Sequence, residues 1–196
     1  MAFSFKQQQC RPSLIRAALL FLLVAFTDMA SFKIRSAHTE DVRAIQALRQ
    51  PLEGDGKKLL HHDLVSLFEK VQEFLVAEDE SGSVIGAGAL HVMWEDLAEV
   101  RSVVVSEAAR GQGAGHAIVT ALLQRATQLG VKRVFCLTFE TEFFAKHGFE
   151  PISDIPVDAE TYEEMVRSSD DGIAEFLDLA RVKENTLGNT RMLKLL

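Results

Sequence analysis

The stretch "VVVSEAARGQGAGHAIVTALLQRA", residues 103 to 126, passes from a β-branched run through a glycine-rich turn straight into an amphipathic helix. Three glycines at alternate positions, Gly111, Gly113 and Gly115, keep side chains clear of the turn's backbone N–H groups. The helix behind them opens with donors that have no intrahelical acceptor and with the positive end of its dipole. Such a turn is a ready anion site, and phosphate is its commonest occupant. A plain strand-to-helix turn rich in glycine is the other reading of the same residues.

The residues absent from this stretch narrow the ligand. A nucleoside triphosphate loop needs GxxxxGK[ST], whose Lys and hydroxyl serve the outer phosphates and magnesium, and neither is present. A dinucleotide fingerprint needs GxGxxG early in a βαβ unit, with an acidic ribose partner about 20 residues on. In Gly111-Gln112-Gly113-Ala114-Gly115-His116 the third glycine is misplaced, and the turn falls past mid-chain, after several antiparallel-patterned strands.

The surrounding chain is globular in character. It has 196 residues, 47% hydrophobic and 25% charged, enough for one sizeable core. A formal charge of −7 argues against nucleic acid or an anionic membrane as partner and favours small-molecule chemistry. Two cysteines are too few for a disulfide framework, and Cys136 sits inside the apolar run "VFCLTF", which suits a buried thiol in a reducing cytoplasm. His61-His62-Asp63 lacks a partner cluster at ligand spacing, so a solvated loop and no metal are expected there.

Residues 1–28 stand apart. Lys6, Arg11 and Arg16 precede the apolar run "AALLFLLVAF" at 17–26, in the manner of a signal peptide, but the run is short for a bilayer span and Asp28-Met29-Ala30 is a poor cleavage site. "MASFKIRSAHTEDVRAI", from Met29, opens as an independent domain would. The expectation is an extension outside the fold at 1–28, signal-like or mis-started, and one domain over 30–196.

Within that domain, "FKIRSA" alternates as a first strand, and Thr39-Glu40-Asp41 opens a helix through Arg49, with Thr39 as cap and Pro51 as stop. "PLEGDGKKLLHHD" reads as a mobile loop. "QEFLVAED" and "VIGAGALHVMW" pair through the turn "ESGS", and "LAEVRSVVVS" is the next strand. In the helix after the glycine turn, Ile118, Val119, Leu122, Leu123, Ala126 and Leu129 share a stripe that ends at Gly130. "RVFCLTF" is a buried strand, "ETEFFAKHGF" a short helix, and the tail an acidic helix around Tyr162 and a hairpin of "DLARVKEN" with "TRMLKLL".

"RGQGAG" matches R/Q-x-x-G-x-G/A, and on it this segment resembles the acetyl-CoA pyrophosphate loop of the GNAT superfamily of N-acetyltransferases. The order of elements is also that of the GNAT fold, an α/β (α+β) architecture with a mixed central sheet flanked by helices; the resemblance covers residues 32 to about 152. Within the superfamily, "GALHVMWEDLAEVRSVVV", "VFCLTFETEFFAKHGF" and "NTLGNTRMLKL" are similar to the short-form amino-acid N-acetyltransferases that make N-acetylglutamate in arginine biosynthesis. The resemblance implies acetyl-CoA as co-substrate, no metal, and glutamate as acceptor. Glutamine, another amine or a protein lysine remain alternatives, as does a CoA-sensing module without catalysis. A homodimer stays open.

Acetyl transfer to an amine needs a held CoA, a deprotonated amine and a polarised carbonyl. By the resemblance, backbone N–H groups of Arg110, Gly111, Gln112, Gly113, Ala114 and Gly115 surround the pyrophosphate, and the strand edge Val103, Val104 and Val105 pairs with the pantetheine arm. Glu99 is the candidate base, at a position where similar enzymes carry an acid; a solvent-facing acid is its bland reading. Arg101 shares its strand face and would hold a substrate carboxylate or pair with Glu99. Lys183, Asn189 and Arg191 in the tail are further candidates for the acceptor, against simple surface charge. Where many GNAT enzymes carry a tyrosine as general acid this chain has Phe144, so no general acid is assigned; a thiol with a pKa near 8.5 leaves as thiolate with little help.

Overall fold

The computed structural model describes residues 32–53, 62–179 and 188–196. The expectations for residues 1–28, for the centre of the 51–63 loop, for Lys183 and for most of "DLARVKEN" lie outside these residues.

The strands are β1 (Phe32–Ser36), β2 (Phe74–Asp79), β3 (Val84–Val92), β4 (Leu97–Val105), β5 (Arg133–Thr138), β6 (Glu150–Pro151) and β7 (Thr190–Leu195). They form one sheet in the order β1-β2-β3-β4-β5-β7-β6. Every pairing is antiparallel except β4 with β5, which is parallel. The helices are α1 (Val42–Arg49), α2 (Leu64–Glu69), α3 (Ala114–Gln128), α4 (Thr141–Ala145), α5 (Ala159–Met165) and α6 (Asp171–Phe176). This is the mixed sheet with flanking helices that the GNAT resemblance implied.

Alternation along β4 sorts the core. Ala98 and Val100 face α3, whose Ile118, Val119, Leu122 and Ala126 are fully buried against them. Val104 turns to the opposite face, where α1 supplies Val42 and Ile45. Leu97 also turns away from α3 and meets Phe135 of β5, Ile173 and Phe176 of α6 and Met165 of α5. Burying a large apolar side chain stabilises by about 1.5–3 kcal/mol, so three such clusters fix the sheet between its helical layers. Cys136 is buried, as its apolar run implied, and burial pushes its thiol up.

The pairing of β4 changes halfway along. Its contact with β5 covers only Leu97↔Arg133, Ala98↔Val134 and Glu99↔Phe135. Opposite β3 the register slips between Ala87 and Ala89, which face Val104 and Arg101, leaving an extra residue in β4. Ser102 takes it up with φ of 57°, a left-handed conformation costly for a side-chain-bearing residue. The bulge bends β4 away from β5, and the two strands open into a V beyond Glu99.

Some local expectations are corrected. Thr39 does not cap the first helix: Thr39–Asp41 is a 3-10 turn, and the Asp41 carboxylate accepts from the His38 N–H at 2.7 Å and from Arg35. The Asp41 carboxylate is drawn to Arg35 and to the N–H ahead of the turn, and α1 starts without a side-chain cap. Leu129 is not part of the buried stripe, being 56% exposed. The helix has ended by then: Val131 N–H bonds back to the Ala126 carbonyl across left-handed Gly130, which closes the last turn and leaves Leu129 outside. Helices α2 and α6 were not read from the sequence, each being only six residues long. Strand β7 lies between β5 and β6, so its described partners come from earlier in the chain rather than from an adjacent hairpin arm. Among the described residues no helix is long and apolar enough to cross a membrane.

Candidate active site

The V between β4 and β5 is a cleft of about 490 Å³. Its walls include Val103, Val104, Val105, Arg101 and Ser102 from β4, Leu137 and Thr138 from β5, and Phe143 and Phe144 from α4. Past Glu99 the two strand edges no longer bond to one another, so the β4 edge keeps backbone groups available for an extended ligand.

The glycine turn closes one end. Gly111 and Gly113 have φ of 79° and 84°, and Gly113 is the residue that caps α3. The Arg110 N–H donates to the Glu107 carbonyl and the Gln112 N–H to the Ala109 carbonyl, both at 3.3 Å, so the donors the turn offers are those of its glycines, at the positive end of a 15-residue helix. A Cβ at Gly111 or Gly113 would meet nothing within 4 Å, so these positions demand glycine for backbone conformation, not for space within the chain. Gly115 packs close to Phe143 and Val105, at 3.5 Å and 3.6 Å from the place of a Cβ. Arg110 lines the cleft with its guanidinium exposed, its nearest acid, Glu107, being 4.0 Å away.

Glu99 lies where the V closes and is 4% exposed, so it is not the solvent-facing acid of its bland reading. Its Oε2 is buried with no hydrogen-bond partner; the nearest cation, Arg101 Nη1, is 3.6 Å away. Burial pushes this carboxyl up to about 7; Arg101 and His91 pull it back, while Asp170 and Glu73 add repulsion. An acid with that proton affinity exchanges a proton readily near neutral pH.

Arg101 shares the face of Glu99, as two-residue spacing in a strand requires, but it is held by partners the sequence did not suggest. Nη2 donates to Glu73 at 2.9 Å and Nη1 to Asp170 at 3.0 Å. His91, the cross-strand partner of Glu99, bonds Glu73 at 2.9 Å and stands 3.7 Å from Asp170. Lys70 is 3.6 Å from the same Asp170 oxygen. Burial works against the carboxylates of Asp170 and Glu73, but Arg101 and His91 outweigh it and hold both below the usual range. Asp170 also caps α6, accepting from the Gly172 N–H at 2.9 Å. The network therefore ties that helix to the strand that carries Glu99.

Two more basic groups stand behind it. Arg49, 1% exposed, donates to Glu53 at 3.0 Å and to the Ser102 hydroxyl, which braces the bulge from α1. His62 is partly buried rather than solvated, a correction to the loop reading; burial and the nearby Arg49, Lys70 and Arg101 push it down to about 4. Burial first, and then those cations, hold a histidine flanked by polar residues neutral. Among the described residues no group of three metal-ligating side chains occurs.

Of the tail candidates, Arg191 is on β7 opposite Leu137 of β5. Its Nη1 donates to the Phe176 carbonyl at 3.2 Å and its Nη2 to the Ser153 carbonyl at 2.8 Å, so it closes the end of α6. Asn189 is half-buried just before β7, beside Gly188, whose Cβ position lies 3.9 Å from Phe139. Phe144 presents a buried ring to the cleft and stacks edge-on against Phe143 and Phe149. Tyr162 packs in the cluster beneath α5 and is not among the cleft residues.

The residues missed from the sequence are Glu73, His91, Asp170, Gly172 and Glu175. Only His91 left a signal, through alternation with Ala89 on β3. Asp170 is 69 positions from Arg101, and no spacing rule connects them.

A mixed sheet splayed beside a glycine turn, with a buried acid where the strands part, is the architecture of an N-acetyltransferase. The chain belongs to the acetyltransferase (GNAT) family, whose model matches residues 40–149. It is 57% identical over 165 residues to an amino-acid acetyltransferase of Mycobacterium tuberculosis, a match that covers 83% of this chain and 94% of the relative. A Mycobacterium tuberculosis crystal structure in complex with CoA and NLQ superposes with a TM-score of 0.80 at 56% identity, covering 84% of this chain and 99% of the other. N-acetylglutamate synthase from Neisseria gonorrhoeae, solved with coenzyme A and N-acetyl-glutamate, superposes with a TM-score of 0.68 at 26% identity, over 86% of this chain and 36% of that one.

Proposed function

We propose that this acetyltransferase moves the acetyl group of acetyl-CoA to the α-amino group of L-glutamate, the N-acetylglutamate synthase reaction that opens arginine biosynthesis. The observation that carries this reading is the buried Glu99 at the last β4–β5 pairing, next in the chain to Val100 and Arg101, which line a cleft whose other end is the glycine turn. The pyrophosphate sits at the turn from Arg110 to Gly115, on the N–H groups that its own hydrogen bonds leave, with the Arg110 guanidinium beside it. The pantetheine arm runs along Val103, Val104 and Val105 and brings the thioester toward Glu99. Glu99 accepts a proton from the acceptor's ammonium, directly or through water. The freed amine attacks the thioester carbonyl, the C–S bond breaks, and coenzyme A leaves as thiolate and takes up the proton that the new amide nitrogen sheds.

Arg101, Arg191, Asn189 and Lys183 are the proposed contacts of the acceptor. Similarity to amino-acid acetyltransferases supports a small amino acid, and the three basic side chains among these favour an acidic one. Residues 30–196 are proposed as the catalytic unit and the cytoplasm as its compartment; a chain begun at Met29 should keep full activity.

Thiol release with acetyl-CoA and glutamate, glutamine, leucine and polyamines, measured side by side, tests the reading. Glutamate should win. Preferred glutamine would correct the acceptor alone, preferred polyamine would overturn the pathway, and no turnover with any amine would leave a CoA-sensing module.

A further inference from the structure

A second acid shares the interior with Glu99. Glu175, on α6, is 9% exposed, and its Oε1 is buried without a hydrogen-bond partner. Gly172 packs on Glu99 so closely that a Cβ there would fall 2.2 Å from Oε2. Residues three apart on a helix occupy one face, roughly 5–6 Å from each other. Glu175 therefore follows Gly172 along the side of α6 turned toward Glu99, and the two acids that lack partners at these oxygens belong to the same buried space.

Charged neighbours surround both. Glu99 faces Arg101 on its own strand, His91 on β3, Glu73 before β2, Asp170 before α6 and the Cys136 thiol on β5. Glu175 faces Glu99, Asp178, Arg191 and Asp171. Arg101 is divided among Glu73, Asp170 and Glu99, and Arg191 is bonded to two backbone carbonyls. No cation stands in hydrogen-bond range of both buried acids among the described residues. Two carboxylates in one such space do not both ionise readily; the pair holds a proton that either member can carry.

We propose that Glu175 is a positioning residue for the proton transfer, acting through Glu99: the two acids share one proton in the resting protein, so that one can hold it while the other is ionised. The inference rests on Glu99 as the base of the proposed acetyl transfer. Burial first, then the charge of Glu99, pushes the Glu175 carboxyl up to about 7, in the range where Glu99 itself titrates. The arrangement gives the reaction a base strong enough to take an ammonium proton from inside an apolar setting. A lone salt-bridged carboxylate would be a weaker one.

Two measurements on the full chain test it. The first is the pH dependence of kcat/KM in Glu175→Gln and Glu175→Asp. The amide should move the acidic limb down by about one pH unit and lower the rate on the plateau, while the shorter acid should keep the wild-type limb. A Glu175→Gln profile that superposes on wild type would overturn the proposal. The second is infrared titration of buried carboxyl groups in the free protein, which needs no turnover. Glu175→Gln should lower the pH at which Glu99 ionises, and Glu99→Gln should do the same for Glu175. Independent titration of the two acids would overturn the pairing even in an active enzyme. Coupled titration in a protein that acetylates no amine would retain the pair and overturn only its use as a base. Thermal melting checks the fold; Glu175→Gln should melt no lower than wild type above pH 7, because it removes an uncompensated buried acid.

Discussion

Gly172 and Glu99, 73 residues apart in the chain, meet where α6 packs on the sheet: a Cβ on Gly172 would stand 2.2 Å from Glu99 Oε2 and 2.9 Å from Cδ. Glycine at this position has a steric cause, since its φ is not left-handed. In Gly172→Ala the added methyl must displace the carboxylate, and the fold has room to yield because the first atom struck is the end of a side chain. Turnover should fall at least tenfold while CoA affinity holds, since the glycine turn is at the other end of the cleft. A kcat equal to wild type would remove Glu99 geometry from the mechanism.

Glu99→Gln should lower kcat/KM at neutral pH, with recovery as alkali deprotonates the amine in solution. Its effect on stability has the opposite sign. The Glu99 carboxyl is raised from 4.5 to about 7 in the folded protein. Ionisation therefore opposes folding from pH 4.5 upward, fully so above 7, and costs nothing below 4.5, where both states are protonated. The amide should melt higher than wild type above pH 7, by a difference on the order of 3 kcal/mol, and equal to it near pH 4. Calorimetric melts at the two pH values check this.

The ion network works the other way. Asp170 and Glu73 are held below their ordinary range, so their contribution is complete above pH 4 to 5 and is lost as acid protonates them. Asp170→Asn should destabilise at pH 7 by about 2–3 kcal/mol, less than a fully buried pair because each side chain keeps some solvent contact. It should also flatten the fall of the melting temperature between pH 5 and 2. A variant as acid-sensitive as wild type would show that Asp170 does not couple α6 to Arg101.

Gly113→Asp places a side chain on a left-handed residue, at φ of 84°, in a turn whose N–H groups face the proposed pyrophosphate. The carboxylate also sets a negative charge where an anion should bind. Calorimetric titration should show loss of CoA binding by a hundredfold or more, with the fold retained, since the position is open on the protein side. Unchanged affinity would reduce the loop to an ordinary turn.

Arg191→Ala should raise the Michaelis constant for the amino acid far more than that for acetyl-CoA, by at least tenfold, in line with the roughly 2–5 kcal/mol lost when one partner of a buried charge pair is truncated. Because Arg191 also bonds the Phe176 and Ser153 carbonyls, Arg191→Lys separates the roles: it should restore part of the melting temperature without restoring the Michaelis constant. Equal rises in both constants would assign Arg191 to the support of α6 alone.

What the sequence determined by itself is local. A β-branched run, glycines at 111, 113 and 115 and an apolar stripe of period 3.6 set the strand, turn and helix, because each depends on backbone freedom and on side chains a few positions apart. The same locality put Glu99 and Arg101 on one face of β4. Tertiary structure decided what those two residues are. The bulge at Ser102 and the short parallel pairing with β5 open the cleft, and register between strands is not encoded in either strand alone. Packing of α6 buries Glu99, brings Asp170 to Arg101 and sets Glu175 in the same interior. Burial and the charges of residues far off in the chain set proton affinity, and no pattern along the chain records that environment.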